Sequence, residues 1–338
     1  MSTDSGRLSD VIAWSWAELH PELAPPGENP VAALPSIDPE TTTFYWELHF
    51  QNGRVLRADF LHRPSLVSDG AAGEDRSFDP ILPRLRAWYQ GSALARRHVH
   101  DTVWLEADGP LVDRPRDRPQ GVSVCLDPKF GQSEPLDRPP LEPEALAQLC
   151  AQFEAVCGCR AARAADLLRV HGAVSRAGGE LRHVSIMRGR PREPLKVYAA
   201  VPKPALPALL SELEWPGDRE RARACGERVA ASSRWMNIDL LVDDGIAPRI
   251  GFELFSDPSA ATDFFRSGSL ELAVELRLMT REQAAGLRTW VGRFRRRFAS
   301  EAWPTAVRRW FDMKFVQLES GEIELKTYLG FRLQPSVF

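Results

Sequence analysis

Thr43–Leu61 reads TFYWELHFQNGRVLRADFL, two alternating apolar and polar runs on either side of Asn52-Gly53. Asn-Gly between such runs is the strongest short-range signal for a β-hairpin. Successive strand side chains point to opposite sides, so the stretch divides into two faces. Phe44, Trp46, Leu48, Phe50, Leu56, Ala58 and Phe60 make one; Tyr45, Glu47, His49, Val55, Arg57 and Asp59 make the other. A three-residue loop, Gln51-Asn52-Gly53 with a glycine bulge, sets Glu47 opposite Arg57. It keeps the polar residues of both strands together and is expected over a two-residue turn for that reason.

The same pattern recurs along the chain. Thr102–Ala107 pairs with Gly121–Asp127 across a long polar loop, Asp108–Gln120. Leu181–Arg188 pairs with Leu195–Val201, and Trp235–Val242 with Ala247–Phe255 through Asp243-Asp244-Gly245. Phe311–Leu318 pairs with Glu322–Leu333 through Ser320-Gly321. Each hairpin has an apolar face and a face of charged, hydroxyl and aromatic groups. The inward polar sets include Trp104, Glu106 and Cys125; His183, Ser185, Lys196 and Tyr198; Asp239, Arg249 and Glu253; and Asp312, Lys314, Lys326, Tyr328 and Arg332.

Helical stretches separate the hairpins: Leu8–Leu19, Asp79–Arg97, Glu142–Val170, Pro204–Ser232 and Ser256–Ser300. Breaks are expected near Trp215-Pro216-Gly217 and Met279-Thr280, and Ser256 or Asp257 ahead of Pro258 suits a helix start. The basic run Arg293-Phe294-Arg295-Arg296-Arg297 falls in the last of these helices, where such a run is usually a solvated face and otherwise suits an acidic leader peptide. The helices are the only large apolar partners available to the hairpins. A flat sheet with helices on one side meets that need, and so does a closed barrel with helices outside. Ten antiparallel strands favour closure, which removes exposed edges. The expectation is one α+β domain over residues 1–338: a ten-stranded antiparallel barrel with a polar lumen, ringed by helices in α-α-β-β order. A barrel of that size is too wide for side chains alone to fill, so a ligand-sized chamber is expected.

Composition narrows the function classes. The 338 residues carry 43 Lys+Arg against 46 Asp+Glu, a formal net charge of −3, which gives no large nucleic-acid footprint. No apolar run reaches the length of a membrane span, and the polar N-terminus is unlike a signal peptide, so a cytoplasmic protein is expected. Five cysteines, an odd and sparse set, imply no disulfide framework. Cys157-Gly158-Cys159 lacks a second ligand pair and reads as ordinary thiols rather than a metal site.

The motifs E-x-H-F…R-x-D-F (Glu47 to Phe60), L-K-V-Y-A (Leu195–Ala199), P-R-I-G-F-E (Pro248–Glu253) and L-K-T-Y-L-G (Leu325–Gly330) together resemble the soluble ABBA-barrel aromatic prenyltransferases. Chain length and the acidic hairpin turning at Asp-Gly are most similar to the cyanobactin-type peptide prenyltransferases. The chain departs from the fungal indole enzymes in being shorter and in having Arg249-Ile250-Gly251 where they carry Lys-x-Tyr.

The resemblance implies transfer of an allylic isoprenoid from its diphosphate to an electron-rich group of a peptide or an aromatic small molecule. Arg57, Lys196, Arg249, Lys314 and Lys326 would hold the diphosphate. Tyr45, Trp104, Tyr198 and Tyr328 would shield the allylic cation. Glu47 would orient the acceptor and take its proton, with His49 a second proton carrier. Gly251 and Gly330, on inward positions, would leave room for a donor longer than five carbons. The donor would be dimethylallyl or geranyl diphosphate, with Mg2+ accompanying it and no organic cofactor. The absence of D-D-x-x-D argues against the helical isoprenoid synthases. The alternatives are a non-catalytic barrel that binds a peptide or anionic ligand as a maturation partner, and another transferase with a phosphate-bearing donor. Neither nucleic acid nor membrane is an expected partner.

Overall fold

A computed structural model describes residues 4–25, 43–67, 81–107, 122–128, 142–158, 164–188, 193–231, 233–255, 268–298 and 304–334. The strands are β1 (Thr43–Gln51), β2 (Arg54–His62), β3 (Val99–Ala107), β4 (Val122–Pro128), β5 (Glu180–Arg188), β6 (Leu195–Pro202), β7 (Trp235–Asp243), β8 (Gly245–Leu254), β9 (Gly292–Arg296), β10 (Thr305–Gln317) and β11 (Ile323–Gln334). Each consecutive pair from β1 to β8 is antiparallel, β8 pairs with β10, β10 with β11, and β11 with β1. Ten strands thus close into a barrel, and β9 hangs outside the ring on the N-terminal half of β10.

The helices are α1 (Asp4–Ala17), α2 (Ile81–Gly91), α3 (Ala93–His98), α4 (Pro143–Cys157), α5 (Ala164–Arg176), α6 (Leu206–Glu212), α7 (Arg219–Val229), α8 (Ser269–Glu275) and α9 (Arg281–Trp290). Their boundaries follow local chemistry. Gly158 ends α4 in the left-handed conformation at φ 72°, where a side chain would be strained. Asp218 caps α7, and Thr280 with Gln283 forms a capping box on α9. The core lies between these helices and the outer face of the barrel. Trp46 of β1 is fully buried against Trp16, at 4.8 Å between ring centroids, and donates to Ser15 Oγ. Gly226 lets α7 sit close on β7 and β8, for a Cβ there would stand 2.7 Å from Phe252 and 2.9 Å from Met236. Among the described residues no helix is long and apolar enough to cross a membrane.

Several expectations need correction. Asn52 (φ 50°) and Gly53 (φ 71°) form a two-residue turn, and Glu47 faces Asp59 while His49 faces Arg57. The parity that the longer loop was meant to supply comes instead from a bulge at Leu56, which is skipped between Val55 and Arg57. Leu56 is therefore 52% exposed, and Val55 takes its place on the apolar face at 6%. The stretch after Trp290 is not helical: Gly292–Arg296 is a strand in register with Thr305–Arg309, so the arginine run lies on a sheet edge. Glu142–Val170, expected as one or two helices, holds α4 and the start of α5, and the last hairpin begins at Thr305 rather than Phe311. The loop at Asp108–Gln120, Ser256 with Asp257, and Cys159 lie outside the described residues.

Candidate functional site

Alternation along the strands aims a set of charged side chains into the lumen, where they pair with one another. Glu47 of β1 is fully buried and accepts from Lys326 Nζ of β11. His49, two residues on, has Nε2 at 2.8 Å from Asp59 Oδ2 and 3.2 Å from Glu47 Oε1, and Nδ1 at 2.7 Å from Glu324 Oε1. Burial and the Lys326 ammonium push this imidazole toward neutrality. Its hydrogen bonds to Asp59, Glu324 and Glu47 outweigh both and raise its pKa to about 9, so it is an imidazolium at neutral pH. Burial would raise the Glu47 pKa, but Lys326, His49 and Lys196 hold it well below the usual carboxylate range. Arg57 Nη2 reaches Asp59 at 3.2 Å.

A second cluster centres on Lys314 of β10, whose side chain is fully buried. Its Nζ lies 2.9 Å from Asp239 Oδ2, off the hydrogen-bond direction, and 3.4 Å from Glu253 Oε2. It donates to the Tyr198 hydroxyl at 3.2 Å. Burial opposes the charge on Asp239, but Lys314, Arg249 and Lys196 keep that carboxyl far below its ordinary range.

Lys196 differs from both. It is 3% exposed. Among the described residues its ammonium has no acceptor in contact; it sits 5.2 Å from the centroid of the Tyr198 ring. Burial and repulsion from Lys314 and Lys326 lower its pKa against the pull of Glu106 and Asp239. Among the described residues it is a cation held by its surroundings and by no direct partner.

Toward the other end the lumen opens into a cavity of about 120 Å³. A water's share of liquid volume is ~30 Å³, so the space takes about four waters or one small organic group. Tyr45, Trp104, Tyr198 and Tyr328 line it with Phe255 and Leu61, and Glu106, Glu253 and Asp312 supply carboxylates. Tyr45 packs edge-on against Trp104 at 5.3 Å, Trp310 at 5.4 Å and Tyr328 at 6.5 Å. Burial, then neighbouring carboxylates, raises all three tyrosines well above the usual phenol range, so they stay neutral. Tyr198 and Tyr328 belong to both regions: Lys314 Nζ is 4.3 Å and 5.9 Å from their ring centroids.

The structure therefore gathers Glu47, His49, Lys196, Lys314 and Lys326 in one buried network, with Arg57 at 37% side-chain exposure on its edge and Arg249 within electrostatic reach of Asp239 and Glu324. It sets Tyr45, Trp104, Tyr198 and Tyr328 around the cavity. None of the lysines lines that cavity directly.

The two glycines do not enlarge it. A Cβ on Gly251 would lie 1.9 Å from Asp239 Oδ1 and 2.9 Å from Lys314 Cε; on Gly330 it would lie 2.3 Å from the Trp310 ring. Their missing side chains make room for the Asp239–Lys314 pair and for Trp310, not for a longer ligand. Glu324, which the sequence expectation did not include, lies two residues before Lys326 and so shares its face; burial raises its pKa, and His49, Lys326 and Arg249 bring it down to about 2.

Glu47, His49 and Asp59 have ligand atoms within 4.8 Å of one another, the spacing of a metal site. They do not fit Mg2+, which demands oxygen ligands. His49 is a cation here, and Lys326 and Arg57 already neutralise the two carboxylates. No protein-family model and no curated protein matches the chain.

Proposed function

We propose that the barrel is a prenyltransferase of the ABBA type, moving an allylic group from its diphosphate to an electron-rich group of a peptide or aromatic acceptor. Lys196 carries this reading: a lysine 3% exposed, held among the described residues only by a tyrosine ring and by carboxylates beyond contact, is costly unless an anion completes it. It lies beside Lys314 and Lys326 and under a tyrosine ring of the cavity wall. A diphosphate received there leaves its allyl chain among Tyr198, Tyr328, Tyr45 and Trp104.

In the proposed step the allylic C–O bond breaks and its electron pair leaves with the diphosphate, which the lysines, Arg57 and Arg249 neutralise. The rings stabilise the cation and exclude water. The acceptor supplies the electron pair for the new bond, and its proton passes to Glu47. Glu47 is a weak base while Lys326 holds it. A diphosphate that draws Lys326 toward itself restores that basicity when the base is needed. The small cavity and the filled positions opposite Gly251 and Gly330 favour a five-carbon donor.

The test is mass spectrometry after incubation with dimethylallyl diphosphate and peptides containing Trp, Tyr or Arg. The expected product gains one isoprene unit, and Glu47→Gln loses it. A non-catalytic anion-binding barrel is the second reading, favoured by the pairing of Lys314 and Lys326 without any ligand; tight pyrophosphate binding with no product on any acceptor would select it.

A further inference from the structure

The barrel closes on itself, yet one strand lies outside the ring. β9 pairs with β10 along one edge, and among the described residues no strand pairs with the other. An open edge offers a row of backbone donors and acceptors to any extended chain. Its side chains separate by face. Phe294 turns inward, packing beside Trp14 at 6.4 Å and over Arg309 at 3.7 Å. Arg296, on that same side, meets Glu18 at 3.6 Å. Arg293 and Arg295 point the other way, are exposed, and among the described residues have no carboxylate in contact.

Arg309 lies directly behind the strand, on the Phe294 side. It sits at 4% exposure in an aromatic nest of Phe294, Trp290 and Trp14, at 3.7, 4.5 and 5.5 Å. Its Nε and Nη1 have no hydrogen-bond partner. Two arginines of one short strand, Arg293 and Arg295, are thus left without a carboxylate in contact among the described residues, in a chain whose overall charge is −3, while Arg309 behind them lies within electrostatic reach of Glu18. Arginines on an edge also discourage self-pairing. Arg309 needs no further partner, for three rings and the charge of Glu18 already hold it.

We infer that the outer edge of β9 is a docking strand for an extended acidic peptide segment of a partner, which adds to the sheet by backbone hydrogen bonding and pairs its carboxylates with Arg293 and Arg295. The occupant is fixed by charge complementarity together with the open edge. This surface stands apart from the lumen and does not depend on the transfer chemistry proposed there.

Fluorescence anisotropy with a labelled alternating Glu-Val hexapeptide tests it on the full chain. Binding should weaken by at least ~10-fold in Arg293→Glu/Arg295→Glu, exposed changes that leave Phe294 and the fold in place, and should fall as salt rises. Strand addition uses only every second peptide N–H. Of two hexapeptides N-methylated on alternate residues, one should therefore lose binding and the other keep it. Absence of binding, equal binding of both methylated peptides, or equal binding of a single-stranded oligothymidylate would overturn the inference.

Discussion

The charged end of the lumen and its aromatic end are built on the same strands by the same alternation, yet only one of them is open. Around Glu47 and Lys314 the side chains of Lys326, His49 and Lys314 each meet an opposite charge. Around Tyr45 and Trp104 the rings meet edge to face and leave a cavity. Long charged side chains can fill a lumen that apolar ones of ordinary size would leave void, provided each finds a partner. Rings of fixed shape cannot follow one another as closely. Lys196 lies at the boundary, with the burial of the first region and the solitude of the second.

The contrast breaks most severely at Lys314. Lys314→Met strands Asp239 and Glu253 in the interior, and about 3–5 kcal/mol of stability should be lost in urea denaturation. A loss under 1 kcal/mol on the same scale would mean that the two carboxylates are not relying on it.

The pH dependence of stability reads the same region. The pKa of His49 is raised from 6.5 to about 9, so its contribution is fully present below pH 6.5 and is lost as pH rises through about 9. The amount is on the order of 3 kcal/mol. Chemical denaturation between pH 6 and 10 should show the decline, and His49→Gln should flatten it.

Gly251→Ala drives a methyl group into the Asp239–Lys314 pair. Overpacking of this kind costs about 1–3 kcal/mol. If instead the cavity contracts while thermal stability holds, Gly251 does govern chamber size after all.

Lys196→Met sharpens the boundary. Removing an ammonium with no direct partner should leave stability within about 1 kcal/mol, and it relieves repulsion on Lys314 and Lys326. Pyrophosphate binding measured by calorimetry should nonetheless weaken by at least ~10-fold. Destabilisation as large as that of Lys314→Met would erase the distinction. The smallest effect belongs to the outside: Leu56→Thr, at an exposed bulge, should change stability by less than about 0.5 kcal/mol.

Alternation made the barrel legible. Asn52-Gly53, the apolar and polar faces and all five hairpins can be read from residue order, since each follows from a period of two. Asp312, Lys314, Lys326 and Tyr328 of the fifth hairpin follow in the same way, whereas Arg332, expected inward with them, is exposed. Other features depend on neighbours distant in sequence. Nothing local marks the Leu56 bulge, for the two-residue turn and the polar pairing can be reconciled only once both strands are aligned. Gly251 and Gly330 read as empty space until Asp239 and Trp310, on adjacent strands, are seen to enter it. Arg293–Arg297 has the length and charge of a helical face, and its strand conformation comes from Thr305–Arg309 beside it. Which lysines are paired could not be read at all, because Lys326 and Glu47 are 279 residues apart.

That separation bears on how the chamber comes into being. The seam between β1 and β11 joins nearly the first and the last of the described strands, and Lys326–Glu47 and His49–Glu324 both cross it. Closing so long a span costs entropy before any of these contacts can repay it, and topologies of this kind fold slowly. During synthesis β1 must wait, with Glu47 lacking Lys326 and His49 lacking Glu324, until almost every other strand has emerged from the ribosome. The wall of the lumen is therefore complete only once the final hairpin, which carries Lys314, Lys326 and Tyr328, has joined the sheet.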